Sequence, residues 1–426
     1  MTGIRRQLIF LAVIVPLLVG AVIAVHNVFT ESAPGMNDFM SRWEGARSFF
    51  EDGLSPYSDE ASLNIQERIY GRAVIGNEDP GFFAYPFYTV FFVGPTVPFD
   101  YAWASAMWMV ALAASLIIAL FLLLDFYSWR PAPLVLGALL LWALMDYFAS
   151  RGLFLGQPSH VVYVLQVLTL WAVFRRQDEL AGVALALSTF KPQMGYLLVP
   201  LLLLWGLRAR RLNFVGAFVL TFGGLMLASF ALQPDWFGAW IDQVRLYPEY
   251  TAAAYPDTGS PVWIVTQHYL GLGDAGEWTV NLLLLAPMLW AWYGLLVENK
   301  QERFLWTVAL TLVVGHMVAL RTATPHFVVF NIMIVFYLKR ISRVYGNLAA
   351  IGVIVGLFVF SWAQFAITVQ GRDSLEHPSL FLPLPIAMLT LLWLTRHRWW
   401  SEAAPQMAEP REPATASAQL DGVERA

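Results

Sequence analysis

The stretch Gly35-Met36-Asn37-Asp38-Phe39-Met40-Ser41-Arg42-Trp43 decides how this chain is read. It follows the first hydrophobic segment and opens a long polar stretch in a chain that is otherwise nearly all apolar. Connections between packed helices are usually short. A long loop that starts with an acid, beside an arginine and a tryptophan, points to chemistry at a membrane surface rather than to a channel wall.

Of the 426 residues, 58% are hydrophobic and 13% are charged. Soluble domains carry about 25% charged residues, so the composition is that of an integral membrane protein. The formal net charge is −4 and there is no cysteine. That excludes a disulfide framework, a thiolate metal site and a cysteine nucleophile. The start, Arg5-Arg6 followed by apolar residues to Phe29, is longer than a signal-peptide core and lacks a small-residue cleavage pattern, so it reads as a retained first span. Residues 401–426, rich in Ala, Pro, Glu and Ser, read as a disordered cytoplasmic tail.

Hydrophobic runs place spans near 7–29, 103–125, 132–150, 156–174, 178–190, 192–207, 212–231, 277–297, 304–320, 327–341, 346–369 and 380–395. The basic clusters at 5–6, 130, 175–176, 208–211, 300–303, 339–343 and 396–398 then fall on one side, which the positive-inside rule makes cytoplasmic. The expectation is a single all-α polytopic membrane domain over 1–400, with about twelve transmembrane helices and both termini cytoplasmic. Its outer segments are 30–102, 151–155, 232–276 and 370–379, with a short turn at 321–326. Arg42, Arg47, Arg68, Arg72, Arg151, Lys191, Arg245, Arg321 and Arg372 lie outside against the bias, which marks some of them for a task. Segment 82–98 is apolar but holds Pro86, Pro95 and Pro98. As a straight helix it would reach about 25 Å, short of the ~30 Å hydrocarbon core, so it reads as an outer-leaflet helix.

Four constellations can carry chemistry. In 37–52, Phe39, Trp43, Ala46 and Phe50 recur at helical spacing, as on an interfacial amphipathic helix, while Asp38, Arg42 and Asp52 face the other way. Asp38 and Arg42 are four apart, so a plain i,i+4 ion pair at a helix start is the competing reading. Lys191-Pro192 sits at the turn of a hairpin whose arms, about 22 Å each, are shorter than the membrane core. A lysine at depth needs a partner, an anionic headgroup or a route to the interface by snorkelling. Gly156-Gln157-Pro158-Ser159-His160 offers Gln157 and His160 to a sugar or phosphate, or is simply a polar helix start. Arg321 and His326 flank another helix start, which favours anions, with His316 one turn deeper; a structural histidine is the alternative. The acid pairs Glu51-Asp52, Asp59-Glu60 and Glu78-Asp79 read as solvated loop charge. No Walker-type loop, Gly-x-Ser-x-Gly, His-Glu-x-x-His or metal-demanding acid motif occurs. With cytoplasmic loops too short for a nucleotide domain, an energy-rich donor arrives through the membrane as a lipid.

Taken in order, Asp38-Phe39, then Trp43 with Gly45-Ala46, Gly53-Leu54-Ser55-Pro56-Tyr57, Phe83-Ala84-Tyr85-Pro86, Gly156-Gln157 and Ala181-Gly182 leading to Lys191-Pro192 resemble glycosyltransferase family 87, the polyprenyl-phosphate-mannose-dependent mannosyltransferases of the GT-C superfamily. Phe87 stands where the family pattern has a second proline, and Pro158-Ser159 departs from its usual continuation. The resemblance covers about 35–207. It implies a GT-C-like fold with a large first extracytoplasmic loop in the plasma membrane. It implies inverting hexose transfer, mannose first, from a polyprenyl-phosphate sugar to a glycan or glycolipid acceptor, with membrane lipids as surroundings and no metal, cofactor or nucleic acid. On the same footing Asp38 is the general base, and Lys191, Arg321, His326 and Arg42 face the donor phosphate. Gln157, His160, Tyr85, Trp43 and Tyr57 face sugar or acceptor. Trp236, Trp240, Tyr247, Tyr250, Tyr255 and Trp263 would cap the site. A transporter or lipid flippase, and a polymerase or ligase using a diphosphate-linked donor, are the rival readings.

Overall fold

The structure is a computed structural model that describes residues 3–35, 37–255, 259–319, 321–369 and 376–402. Every regular element among them is helical. The chain runs through α1 (Gly3–Val25), α2 (Asn37–Phe50), α3 (Asp59–Tyr70), the short α4 (Thr89–Val93) and α5 (Tyr101–Phe126). It continues through α6 (Pro133–Met145), α7 (Tyr147–Leu155), α8 (Ser159–Phe174), α9 (Asp178–Leu187), α10 (Leu198–Arg208), α11 (Leu212–Leu232) and α12 (Trp236–Ala254). One-turn α13 (Pro261–Trp263), α14 (Gly273–Leu296), α15 (Phe304–Val318), α16 (Asn331–Tyr345), α17 (Asn347–Thr368), α18 (Pro383–Leu394) and α19 (Arg396–Glu402) complete it.

Among the described residues, five helical stretches are long and apolar enough to cross a membrane: Leu11–Thr30, Tyr101–Phe126, Leu212–Leu232, Gly273–Leu296 and Asn347–Thr368. Their outward side chains are apolar, as at Leu220, Leu227, Leu348 and Ile367, each more than 70% exposed. A surface of that kind suits lipid. The other expected spans are shorter helices or broken ones. α6 and α7 meet at 44°, because Asp146 is extended at the break and its carboxylate caps α7 through the Phe148 amide at 3.3 Å. Ser361 Oγ donates to the same carboxylate at 3.1 Å, which ties the break to α17. α15 carries no lipid face: every side chain from Phe304 to Met317 is buried.

Segment 82–98 forms no continuous helix. Only α4 and a single 3-10 turn, Gly94–Thr96, are helical, because Pro86, Pro95 and Pro98 break the ladder. Its inner face packs on the Lys191 turn, where Phe92 stacks on Phe190 at 4.4 Å. Gly182 lets α9 lie against α11: a Cβ there would sit 2.3 Å from the Phe214 carbonyl oxygen. The expected tail 401–426 lies outside the described residues but for the end of α19.

Candidate active site

Asp38 lies in the first turn of α2 and is half-buried. The face expected to rest on headgroups packs into the protein instead. Phe39 stacks on Trp108 at 4.9 Å, and the Trp43 indole donates to the Thr96 carbonyl at 3.2 Å. Of that stripe only Phe50, 49% exposed, reaches the surface. Trp43 is therefore an anchor for α2 rather than a sugar contact. With this face turned inward, Asp38 projects into a cavity of about 190 Å3. No Asp38–Arg42 ion pair forms among the described residues. The Arg42 guanidinium lies over the Tyr85 ring, 3.9 Å from its centre, and bonds the Tyr85 hydroxyl.

Gln157 reaches Asp38 from the opposite wall. Gly156 ends α7 in the left-handed region, φ 69°, and the Trp108 indole holds its carbonyl at 2.9 Å. The chain reverses there, which aims Gln157 into the cavity. Its Nε2 donates to the Asp38 carboxylate and its Oε1 accepts from Lys191 Nζ. Only this orientation of the amide gives the carboxylate a donor and the ammonium an acceptor, so the network fixes it. Lys191 is 1% exposed. It sits between two 3-10 turns, held from the segment before α4 by the Tyr88 hydroxyl, which donates to the Thr189 carbonyl at 3.1 Å. The lysine does not snorkel; it turns into the protein.

Arg321, His326 and Tyr85 line the same cavity as Asp38, Gln157 and Lys191. Arg42 lines an adjoining cavity of about 110 Å3 that shares Asp38, Tyr85 and Gln157. From α12 and the residue that ends it, Tyr247, Tyr250 and Tyr255 reach these cavities, while Trp236 is buried against Tyr88. Two further residues proposed for sugar or acceptor line neither cavity. His160 is fully buried, with Nε2 on the Ala149 carbonyl at 2.9 Å. Tyr57 donates to the Tyr85 carbonyl at 2.6 Å, behind the site.

Three charged residues at the site were not singled out by sequence. Asp79 was grouped with solvated loop charge, yet it lines both cavities. Burial raises its carboxyl above the ordinary range, and the Asp38 charge adds to the effect. Its neighbour Glu78 fits the solvated reading: both its oxygens bond Arg72 at 2.7 Å, which holds that carboxyl at about 2. Arg151 was marked only as a basic residue on the wrong side. It lies 3.7 Å from Glu376, whose carboxylate also takes the Tyr147 and Thr324 hydroxyls. For Glu376 no sequence signal existed.

The arrangement puts three carboxylates, Asp38, Asp79 and Glu376, and three cations, Arg151, Lys191 and Arg321, around a cleft beside apolar helices. Residues 83–318, over half the chain, match the family model of glycosyltransferase family 87. The matched segment contains Tyr85, Gln157 and Lys191, whereas Asp38, Arg42, Arg321 and His326 lie outside it. No curated protein and no solved structure matches the chain. Helices of membrane-spanning length and the family match together make this chain a member of glycosyltransferase family 87, a membrane protein that transfers sugar.

Proposed function

We propose that the chain transfers a hexose, mannose first, from a polyprenyl-phosphate donor to a hydroxyl of a glycan or glycolipid, with inversion. The observation that carries the reading is the shared cavity: Asp38 borders it with Lys191 and Arg321, and Gln157 stands between acid and lysine. In the reaction Asp38 takes the proton of the acceptor hydroxyl as its oxygen attacks the anomeric carbon. The bond from that carbon to the phosphate oxygen breaks, and polyprenyl phosphate leaves with the electron pair. A base within hydrogen-bond reach of the hydroxyl contributes about 10²–10⁴-fold. Lys191, Arg321 and His326 stabilise the departing phosphate, as fixed charges and donors do in a dry site. The isoprenoid stays in the bilayer.

On this reading residues 1–400 form one GT-C-like domain of the plasma membrane, with about twelve membrane segments, some short or broken. Both termini are cytoplasmic and the cavity is extracytoplasmic.

Purified protein with radiolabelled polyprenyl-phosphate sugars and membrane extract tests this directly. Wild type is expected to form a labelled glycan, and Asp38→Asn to lose at least a hundredfold of that rate while melting at the same temperature. Full activity in Asp38→Asn removes the base assignment. Accumulation of label in vesicles without covalent product favours a transporter, and inhibition by a diphosphate-linked glycan rather than by a monophosphate sugar favours a polymerase.

A further inference from the structure

The two adjoining cavities differ in charge. The larger one sets three cations, Lys191, Arg151 and Arg321, against three carboxylates, Asp38, Asp79 and Glu376. The smaller one has Arg42 as its single cation, beside the carboxylates Asp38 and Asp79 and the rings of Tyr70, Tyr85 and Tyr250. Asp38 belongs to both.

Arg42 is 3% exposed, yet its Nε and Nη1 have no hydrogen-bond partner. A buried guanidinium with two idle donors is costly unless something else satisfies them. Its remaining nitrogen is engaged by the Tyr85 hydroxyl, which fixes the plane of the fork. Asp79 is equally fixed. One of its oxygens accepts from the Gly81 amide at 2.9 Å, and the Tyr255 hydroxyl donates to the carboxylate. A carboxylate has about four lone-pair sites, so acceptor capacity remains. The loop that carries it is closed by the Arg72–Glu78 pair and by the Tyr70 hydroxyl on the Asp79 carbonyl at 2.8 Å.

We propose that the smaller cavity is the seat of the acceptor, that its ligand is an uncharged sugar ring, and that Arg42 and Asp79 grip that ring's hydroxyls. The assignment rests on the glycosyl-transfer reading and moves Arg42 from donor phosphate to acceptor. A planar donor fork and a carboxylate acceptor match neighbouring ring hydroxyls, and tyrosine faces cover the apolar side of a sugar. With two carboxylates to one cation the smaller cavity disfavours a phosphate, which belongs in the larger cavity, where three cations balance three carboxylates. The acceptor hydroxyl then meets Asp38 from one side and the donor's anomeric carbon from the other.

The test uses the full-length protein in detergent, with methyl mannoside, methyl glucoside and methyl galactoside as acceptor probes and farnesyl phosphate as the donor-side probe. Binding is read by tyrosine and tryptophan fluorescence. At least one glycoside is expected to bind, and Asp79→Asn and Arg42→Lys each to raise its Kd tenfold or more. Farnesyl phosphate should bind both variants within twofold of wild type, which also shows that they fold. The inference is overturned if no glycoside binds, if glycoside binding survives both substitutions, or if farnesyl phosphate affinity falls in parallel. Failure of the transfer reading is separate and shows as absence of product from a protein that binds both probes.

Discussion

Asp38 and Lys191 are joined through one neutral amide: Gln157 donates to the first and accepts from the second. A direct ion pair would have occupied both groups with each other. The amide instead orients both and leaves the remaining oxygens and protons of each free for substrate. Replacing Gln157 by Leu keeps most of the volume and removes both bonds, which leaves a buried ammonium unsatisfied at a cost above the ~1–3 kcal/mol of a neutral group. The expected result is a lower melting temperature and transfer reduced at least tenfold. Gln157→Glu should recover the stability by pairing with Lys191 but not the rate, because it sets a second carboxylate against Asp38. Wild-type rates in both variants would show that the bridge has no part in the reaction.

Lys191→Gln removes the buried cation that Gln157 links to Asp38. If it stabilises the departing phosphate, kcat should fall about 10²–10³-fold, the range for losing one such donor. Farnesyl phosphate affinity should weaken as well, while glycoside binding holds. Steady-state kinetics in detergent, with donor and acceptor varied separately, checks this. A change confined to acceptor KM would place the lysine elsewhere in the reaction.

Gly152 marks a packing limit. A Cβ at this position would stand 2.1 Å from the His160 ring, so Gly152→Ala forces α7 away from α8. Overpacking of this kind costs about 1–3 kcal/mol. A lower melting temperature is expected, together with reduced transfer because α7 carries Arg151. The double variant Gly152→Ala with His160→Ala relieves the clash and should recover part of both. If His160→Ala alone abolishes transfer at unchanged stability, the buried histidine has a chemical role after all.

Asp79 links stability to pH. Its folded carboxyl titrates above the ordinary value of 3.8, because burial disfavours its charge. Below 3.8 both folded and unfolded chains hold this proton. Between 3.8 and the raised value the folded chain holds more of it, so stability declines as pH rises through that window. Melting curves of wild type and Asp79→Asn between pH 3.5 and pH 7 should converge at the acid end, with wild type losing ground toward neutrality. Parallel curves would show that Asp79 ionises in the folded chain as easily as in the unfolded one.

Much of the site was legible before any coordinates. Asp38, Gln157, Lys191, Arg321, His326 and Tyr85 do line one cavity, as expected of segments that charge bias assigns to a common side. Side-chain direction was not legible. Trp43 and His160 sit in polar motifs, but one points at the Thr96 carbonyl and the other at the Ala149 carbonyl, and spacing alone does not reveal a partner distant in sequence. Asp79 was missed for the converse reason. An acid beside another acid in a long loop looks solvated, and only the folding of that loop under α12 buries it. What surrounds a helix was not legible either: the apolar run at 304–320 does not reveal that α15 is sheathed entirely in protein.

The hold of Tyr88 on the Lys191 turn, across 101 residues of chain, has a consequence for biosynthesis. Asp38 leaves the ribosome well before Lys191 does, and the segment between α3 and α5 must wait, with the inner face of α4 uncovered, until α9 and the turn after it have been made. The cleft that Asp38 shares with Lys191 is therefore absent from the growing chain. A nascent protein has its acid but no pocket, so the shared cleft forms only late in synthesis.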